Sequence, residues 1–175
     1  MPNDQVQFIA AEFDKLLLGA DPVAGVDLVV QTGMGEQVLP EIGAITKARG
    51  KKLLVDGVSA LFVEPMDLAG WGISAVMGSC NKGLHSHPNL TMALVRHDLL
   101  AAMERIAPRA PNLELYKTWK AQKGGSHPYT IDPMSLCQTA AALKHLGSIG
   151  GVAGRHAIYQ ERVKLLRPGY EALGL

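Results

Sequence analysis

Three polar residues stand at or just beyond the ends of short apolar runs. Gln31 follows 26–30, Asp56 follows 53–55, and Lys82 comes soon after 73–77. A carboxylate at such a position stays ionised when it has a cationic partner, and the protonated nitrogen of a heterocycle is one. A lysine in the Gly/Ser/Asn-rich loop 78–83 can be partly desolvated, which lowers its pKa and frees the amine to attack a carbonyl as a Schiff-base former. The same amine can afterwards carry a proton. Ser59, three residues after Asp56, could reach an anionic or phenolic group of the same ligand. Each residue also has an ordinary reading: a helix cap or salt bridge for Asp56, a solvated loop amine for Lys82, a turn former for Ser59.

The elements that must position them follow from apolar spacing. Val6, Ile9, Ala10, Phe13, Leu16 and Leu17 recur at helical intervals and end near Gly19. Strands are expected at 26–30, 53–55, 73–77 and 91–95. Pro40 is expected in the first turn of a helix that ends at Gly50. Further helices are expected near 97–106, 113–122 and 133–146, and a last one over 151–173. In that last helix Val152, Tyr159, Val163, Leu166, Tyr170 and Leu173 share a face, and Pro168 is expected to kink it. Short apolar strands separated by helices indicate an α/β domain with a mostly parallel sheet flanked by helices. Such sheets bind ligands beyond the carboxyl ends of their strands, where Gln31, Asp56 and Lys82 fall.

Bulk composition narrows the function classes. The 175 residues suffice for one domain, 1–175, with a buried core. A net charge of +1, without blocks of one sign, gives no nucleic-acid footprint and no polybasic membrane patch. Two distant cysteines, Cys80 and Cys137, do not form a disulfide framework and suit a reducing compartment, so a cytoplasmic location is expected. The N-terminal stretch lacks a basic region and carries acids, unlike a signal peptide. No apolar run reaches the roughly 18 residues of a membrane span.

Two motifs carry a family resemblance. Lys52-Leu53-Leu54-Val55-Asp56-Gly57-Val58-Ser59 resembles the strand-Asp-x-x-Ser element of the class V aminotransferases, and Ser79-Cys80-Asn81-Lys82-Gly83 resembles their Schiff-base element. Pro65-Met66-Asp67-Leu68, the run 113–120, the Gly150-Gly151…Arg155…Tyr159 helix start and Leu173-Gly174-Leu175 are similar to the 2-aminoethylphosphonate–pyruvate aminotransferase group. The resemblance implies a fold-type I large domain, in part, and pyridoxal 5'-phosphate (PLP) as cofactor. It further implies a homodimer, with Lys82 as the Schiff-base lysine and Asp56 as the partner of the pyridine nitrogen. Thr32 and Ser59 are implied as further cofactor contacts, and Thr130 as a neighbour of the other subunit's cofactor phosphate. The implied reaction moves an amino group from a donor resembling 2-aminoethylphosphonate to a 2-oxo acid such as pyruvate.

The sequence departs from the family pattern in places. Gln31 stands for an acid, the loop Leu84-His85-Ser86-His87-Pro88-Asn89 replaces a Gln-Gly-x-Pro-Gly element, and 130–134 lacks an aromatic or imidazole residue. An earlier phosphate-cradle segment and a C-terminal small domain have no counterpart in these residues. Other readings stay open. One is an inactive aminotransferase-like remnant serving as a binding domain. Another is a related chemistry such as serine– or alanine–glyoxylate transamination or cysteine desulfuration. A third is a metal site on Cys80, His85, His87 and His127, although no metal is expected.

Overall fold

The computed structural model describes residues 28–29, 35–108, 110 and 114–174. The expected helix before Gly19 and the loop with Gln31 and Thr32 lie outside these residues. Four strands form one sheet in the order β1 (Leu28–Val29), β2 (Leu53–Asp56), β3 (Ile73–Ser79), β4 (Thr91–Val95). β1 and β2 run parallel, as do β2 and β3, whereas β4 is antiparallel to β3. The sheet is therefore mostly parallel with an antiparallel strand at one side. The described residues also include five helices: α1 (Gly35–Ala48), α2 (His97–Met103), α3 (Leu115–Lys123), α4 (Pro133–Ser148) and α5 (Gly151–Ala172).

The core forms where α1 covers the sheet. Val38, Leu39 and Ile42 meet Leu53, Val55, Ile73 and Val76, and Leu61 joins them from the segment after β2. Full burial of a side chain such as Leu39 or Ile42 contributes about 1.5–3 kcal/mol. This packing explains one departure from expectation. Pro40 does not begin its helix; it sits inside α1, which starts at Gly35. A proline there removes one helical hydrogen bond, and the buried residues on either side of it hold the helix through the gap.

Burial is uneven across the strands. Ile73, Ser74, Ala75 and Val76 of β3 are all buried, so both faces of that strand are covered. β2 alternates, with Leu53 and Val55 inside and Leu54 and Asp56 exposed. A second cluster joins Cys80, Leu84 and Leu146, bringing α4 against the loop that follows β3.

The last two helices reverse sharply. Gly150 and Gly151 have positive φ (91° and 70°), a backbone that glycine adopts without steric cost. α5 therefore folds back beside α4 at once. Of its apolar stripe, Val152 and Tyr159 are half-buried, whereas Val163, Leu166, Tyr170 and Leu173 are exposed; the buried residue of this helix is Arg155. Pro168 lies within the continuous helix. Among the described residues no helix is long and apolar enough to cross a membrane.

Candidate active site at the carboxyl ends of β2 and β3

Asp56 is the last residue of β2 and pairs in register with Met77 of β3. The Gly57 N–H donates to the Met77 carbonyl at 2.7 Å, so the chain leaves the sheet still tied to its neighbour. Asp56 itself is exposed. Its Oδ1 accepts from the Val58 N–H at 3.0 Å, a local turn that fixes the carboxylate at the rim. Among the described residues no cation forms an ion pair with it. Ser59 is exposed on the same turn, whose backbone is held by Ala60 and Leu61 N–H groups donating to the Gly57 carbonyl.

Lys82 lies three residues beyond Ser79, where β3 ends. Its loop is closed at the base: the Cys80 N–H donates to the Leu90 carbonyl at 3.0 Å, and the Ser86 N–H to the Cys80 carbonyl at 2.9 Å. Within the loop the His85 N–H donates to the Lys82 carbonyl at 3.1 Å. Ser86 Oγ and Thr139 Oγ1 of α4 share a hydrogen bond of 3.0 Å. The expected desolvation of Lys82 is not found, because its side chain is exposed beyond this tethered backbone.

The two loops meet at Gly83. A Cβ at that position would lie 2.3 Å from the Leu61 carbonyl oxygen and 2.6 Å from Val63 Cγ2. Only a residue without a side chain permits this approach, which seats the Lys82 loop directly on the turn that follows Asp56. Adjacent parallel strands and this contact bring both residues to one rim.

The remaining expected residues are less closely joined. Thr130 is exposed, two residues before Asp132, which caps α4 by accepting from Met134 and Ser135 N–H groups. Asn89, from the loop after Lys82, lies close enough to Asp132 to help lower its carboxyl pKa. Thr130 thus stands near the far side of that loop, and no hydrogen bond ties it to Asp56 or Lys82. Cys80 is buried, and burial pushes its thiol above the ordinary value while a hydrogen bond with Thr139 opposes the rise. That placement does not suit a mobile nucleophile. Among the described residues no group of three His, Cys, Asp or Glu side chains is arranged to hold a metal ion.

Sequence reasoning gave no role to Glu64; it named His85 only in the metal reading, and Arg155 and Tyr159 only within the motif that opens the last helix. Arg155 Nη1 meets His85 Nδ1 at 2.7 Å, and His85 Nε2 meets Tyr159 Oη at 2.9 Å. Glu64 is buried, with His156 Nδ1 3.3 Å from its Oε2. The available signals were an acid ending the apolar run Leu61-Phe62-Val63 and an Arg and a Tyr four residues apart on one helix. A basic groove of about 410 Å³, lined in part by Lys47, Lys51, Lys52 and Arg96, lies at the opposite end of β2 and β3.

The chain resembles known proteins in both sequence and fold. Over 164 residues the chain is 34% identical to a protein named 2-aminoethylphosphonate–pyruvate transaminase from Salmonella paratyphi B, an alignment covering 90% of this chain and 44% of that protein. In sequence the chain is similar to aminotransferases. It spans less than half the length of the curated aminotransferases it matches. The alanine–glyoxylate aminotransferase of Nostoc has the same fold, with a TM-score of 0.66 at 23% identity over 77% of this chain and 36% of its own. Pyridoxamine–pyruvate aminotransferase from Mesorhizobium loti gives 0.60 at 26% identity over 68% of this chain and 31% of its own. The α/β fold is thus that of the PLP-dependent aminotransferase large domain, in part.

A family model described as a probable RNA and SrmB-binding site of polymerase A matches residues 9–45. That stretch carries six acids and one lysine. Such a balance repels phosphates, whereas nucleic-acid affinity rests on arginine and lysine contacts to them. The aminotransferase match covers most of the chain and includes both rim residues.

Proposed function

We propose that residues 1–175 form part of an aminotransferase large domain whose Asp56–Lys82 rim holds PLP. The reading includes transfer of an amino group from a donor resembling 2-aminoethylphosphonate to a 2-oxo acid such as pyruvate. One observation carries it: a carboxylate and an amine leave neighbouring parallel strands at the same end, and their loops touch at Gly83.

The residues fit the cofactor. Asp56 offers an exposed carboxylate that lacks a cation from the described residues, and a pyridinium nitrogen supplies one. Lys82 offers an exposed amine on a tethered backbone, suited to an aldehyde. When bound, PLP supplies the electron sink that stabilises a carbanion at the donor carbon. Asp56 keeps the ring nitrogen positive. Lys82 Nζ anchors the aldehyde carbon and, when displaced, holds and moves the proton taken from the donor carbon. Ser59, Thr32 and Thr130 are assigned as further cofactor contacts, with Thr130 serving the partner subunit of a homodimer. A cytoplasmic location completes the proposal.

The decisive experiment incubates the full chain with PLP, reduces it with borohydride and maps the modified lysine by mass spectrometry. The proposal expects a visible absorbance band, label on Lys82, and loss of both in Lys82→Ala. Label spread over other lysines, or a band that survives in Lys82→Ala, overturns it. A second reading, a binding domain without turnover, is favoured by the loop Leu84-His85-Ser86-His87-Pro88-Asn89, which departs from the family's Gln-Gly-x-Pro-Gly pattern. Lys82 labelling without alanine formation from pyruvate and 2-aminoethylphosphonate would select that reading.

A further inference from the structure

Adjacent residues at the start of α5 reach into both loops of the rim. Arg155, 3% exposed, donates from Nη1 to His85 Nδ1 at 2.7 Å. His156 Nδ1 lies 3.3 Å from Oε2 of the buried Glu64, a close approach without a hydrogen bond. Glu64 closes the turns that follow Asp56 and Ser59, its N–H donating to the Ala60 carbonyl. His85 closes the turn that begins at Lys82, through its own N–H. One helical turn therefore touches the Asp56 side with one residue and the Lys82 side with the next.

The contact to His85 is selective. A guanidinium only donates, so Nδ1 must be bare to receive it. The proton then sits on Nε2, which donates to Tyr159 Oη at 2.9 Å. Only a neutral imidazole in that one tautomer satisfies both partners. Arg155 in turn depends on this ring, because its Nε and Nη2 are buried without hydrogen-bond partners. His85 also holds a positive φ of 63°, a conformation uncommon for a residue with a side chain and kept only where its surroundings enforce it.

We propose that Arg155 is a positioning residue for Lys82, and that Arg155 and His156 together gauge the Lys82 loop against the Asp56 loop. The proposal rests on the reading of Asp56 and Lys82 as paired site residues. The groups facing His85 are Arg155, Tyr159 and Arg162 on α5 and His145 on α4, with Lys82 and His87 on its own loop. Burial first, then the charges of Arg155, Arg162 and His145, push His85 below the ordinary imidazole value. Acid must therefore overcome this environment before it removes the acceptor.

The test uses the full chain without cofactor, so failure to bind PLP does not obscure it. Amide hydrogen exchange is followed at 83–86, and the Lys82 amine is titrated by competitive acetylation with acetic anhydride read by peptide mass. In Arg155→Met the protection at His85 and Ser86 falls about tenfold, the factor one buried hydrogen bond contributes to a local opening equilibrium. The Lys82 acetylation profile shifts with it, while exchange in β2 and β3 stays as in wild type. Wild-type protection at these amides falls on acidification below the ordinary imidazole range. His85→Gln keeps an acceptor for Arg155, retains the protection and abolishes that pH dependence. Unchanged exchange at 83–86 and unchanged Lys82 acetylation in Arg155→Met overturn the proposal. Where that variant does not fold, His85→Gly and His85→Gln decide. Loosening in Gly with retention in Gln supports the proposal, and the same behaviour in both refutes it.

Discussion

Gly83→Ala tests the contact that joins the two halves of the rim. The new Cβ would lie 2.3 Å from the Leu61 carbonyl oxygen, against an ordinary contact of at least 3.4 Å. The Val63 methyl at 2.6 Å can rotate away, but the Leu61 carbonyl belongs to backbone and cannot. The loop carrying Lys82 must then lift by about 1 Å, at an overpacking cost of about 1–3 kcal/mol. For a chain of this length that corresponds to a fall in Tm of roughly 2–12 °C. Thermal unfolding followed by circular dichroism measures the cost. Borohydride-trapped PLP on Lys82, quantified by peptide mass, measures the effect on the site, and the yield should drop. An alanine variant that melts with the wild type and takes up PLP equally at Lys82 would show that the loops need not touch.

Other expectations follow from the same structure. Gly147→Ala, with nothing within 4 Å of its added methyl, should stabilise α4 by about 0.5–1 kcal/mol, read in urea unfolding. Asp56→Ala should reduce PLP affinity by at least an order of magnitude while leaving the unfolding midpoint nearly unchanged; equal losses of both would make Asp56 a structural residue. Of the two cysteines, exposed Cys137 should react with a thiol reagent in the native protein and buried Cys80 only on unfolding, as stopped-flow labelling would resolve. Asp132→Ala should lower Tm by removing the cap of α4. The hydrogen bond from the Ser135 side chain, with the Met134 N–H, holds the Asp132 carboxyl below the usual carboxylate value. Its stabilisation is thus present above the unfolded pKa and lost as pH falls through the folded one. The Tm difference between wild type and variant should accordingly shrink in acid.

The strands were legible because β3 is apolar on both faces and β2 ends at a single acid, and these signals are local. The positions of Asp56 and Lys82 were legible for the same reason: Asp56 ends an apolar run, and Lys82 stands in the polar loop after one. Pro40 misled because its helix start was read from propensity, while packing of Val38, Leu39 and Ile42 decides where α1 runs. The exposure of Val163, Leu166 and Tyr170 was not legible, because periodicity shows which residues share a face, not whether that face is covered. Arg155 and Glu64 could not be read as buried from composition, since charged side chains default to solvent. Their burial depends on the reversal at Gly150, which brings α5 back across loops some 70 and 90 residues earlier in the chain.

The antiparallel pairing of β3 with β4 has a consequence for how the site assembles. Ser79 stands opposite Thr91 in that ladder, so the arch bearing Lys82 has both feet in neighbouring rungs and closes over a short span of chain. Its closure entropy is small and is offset as soon as the hairpin zips. The partnership of β2 with β3 instead waits for the whole excursion between Asp56 and Ile73 to collapse. The scaffold of Lys82 is thus a low-contact-order unit that can form early, and Asp56 joins it through a slower, longer-range event.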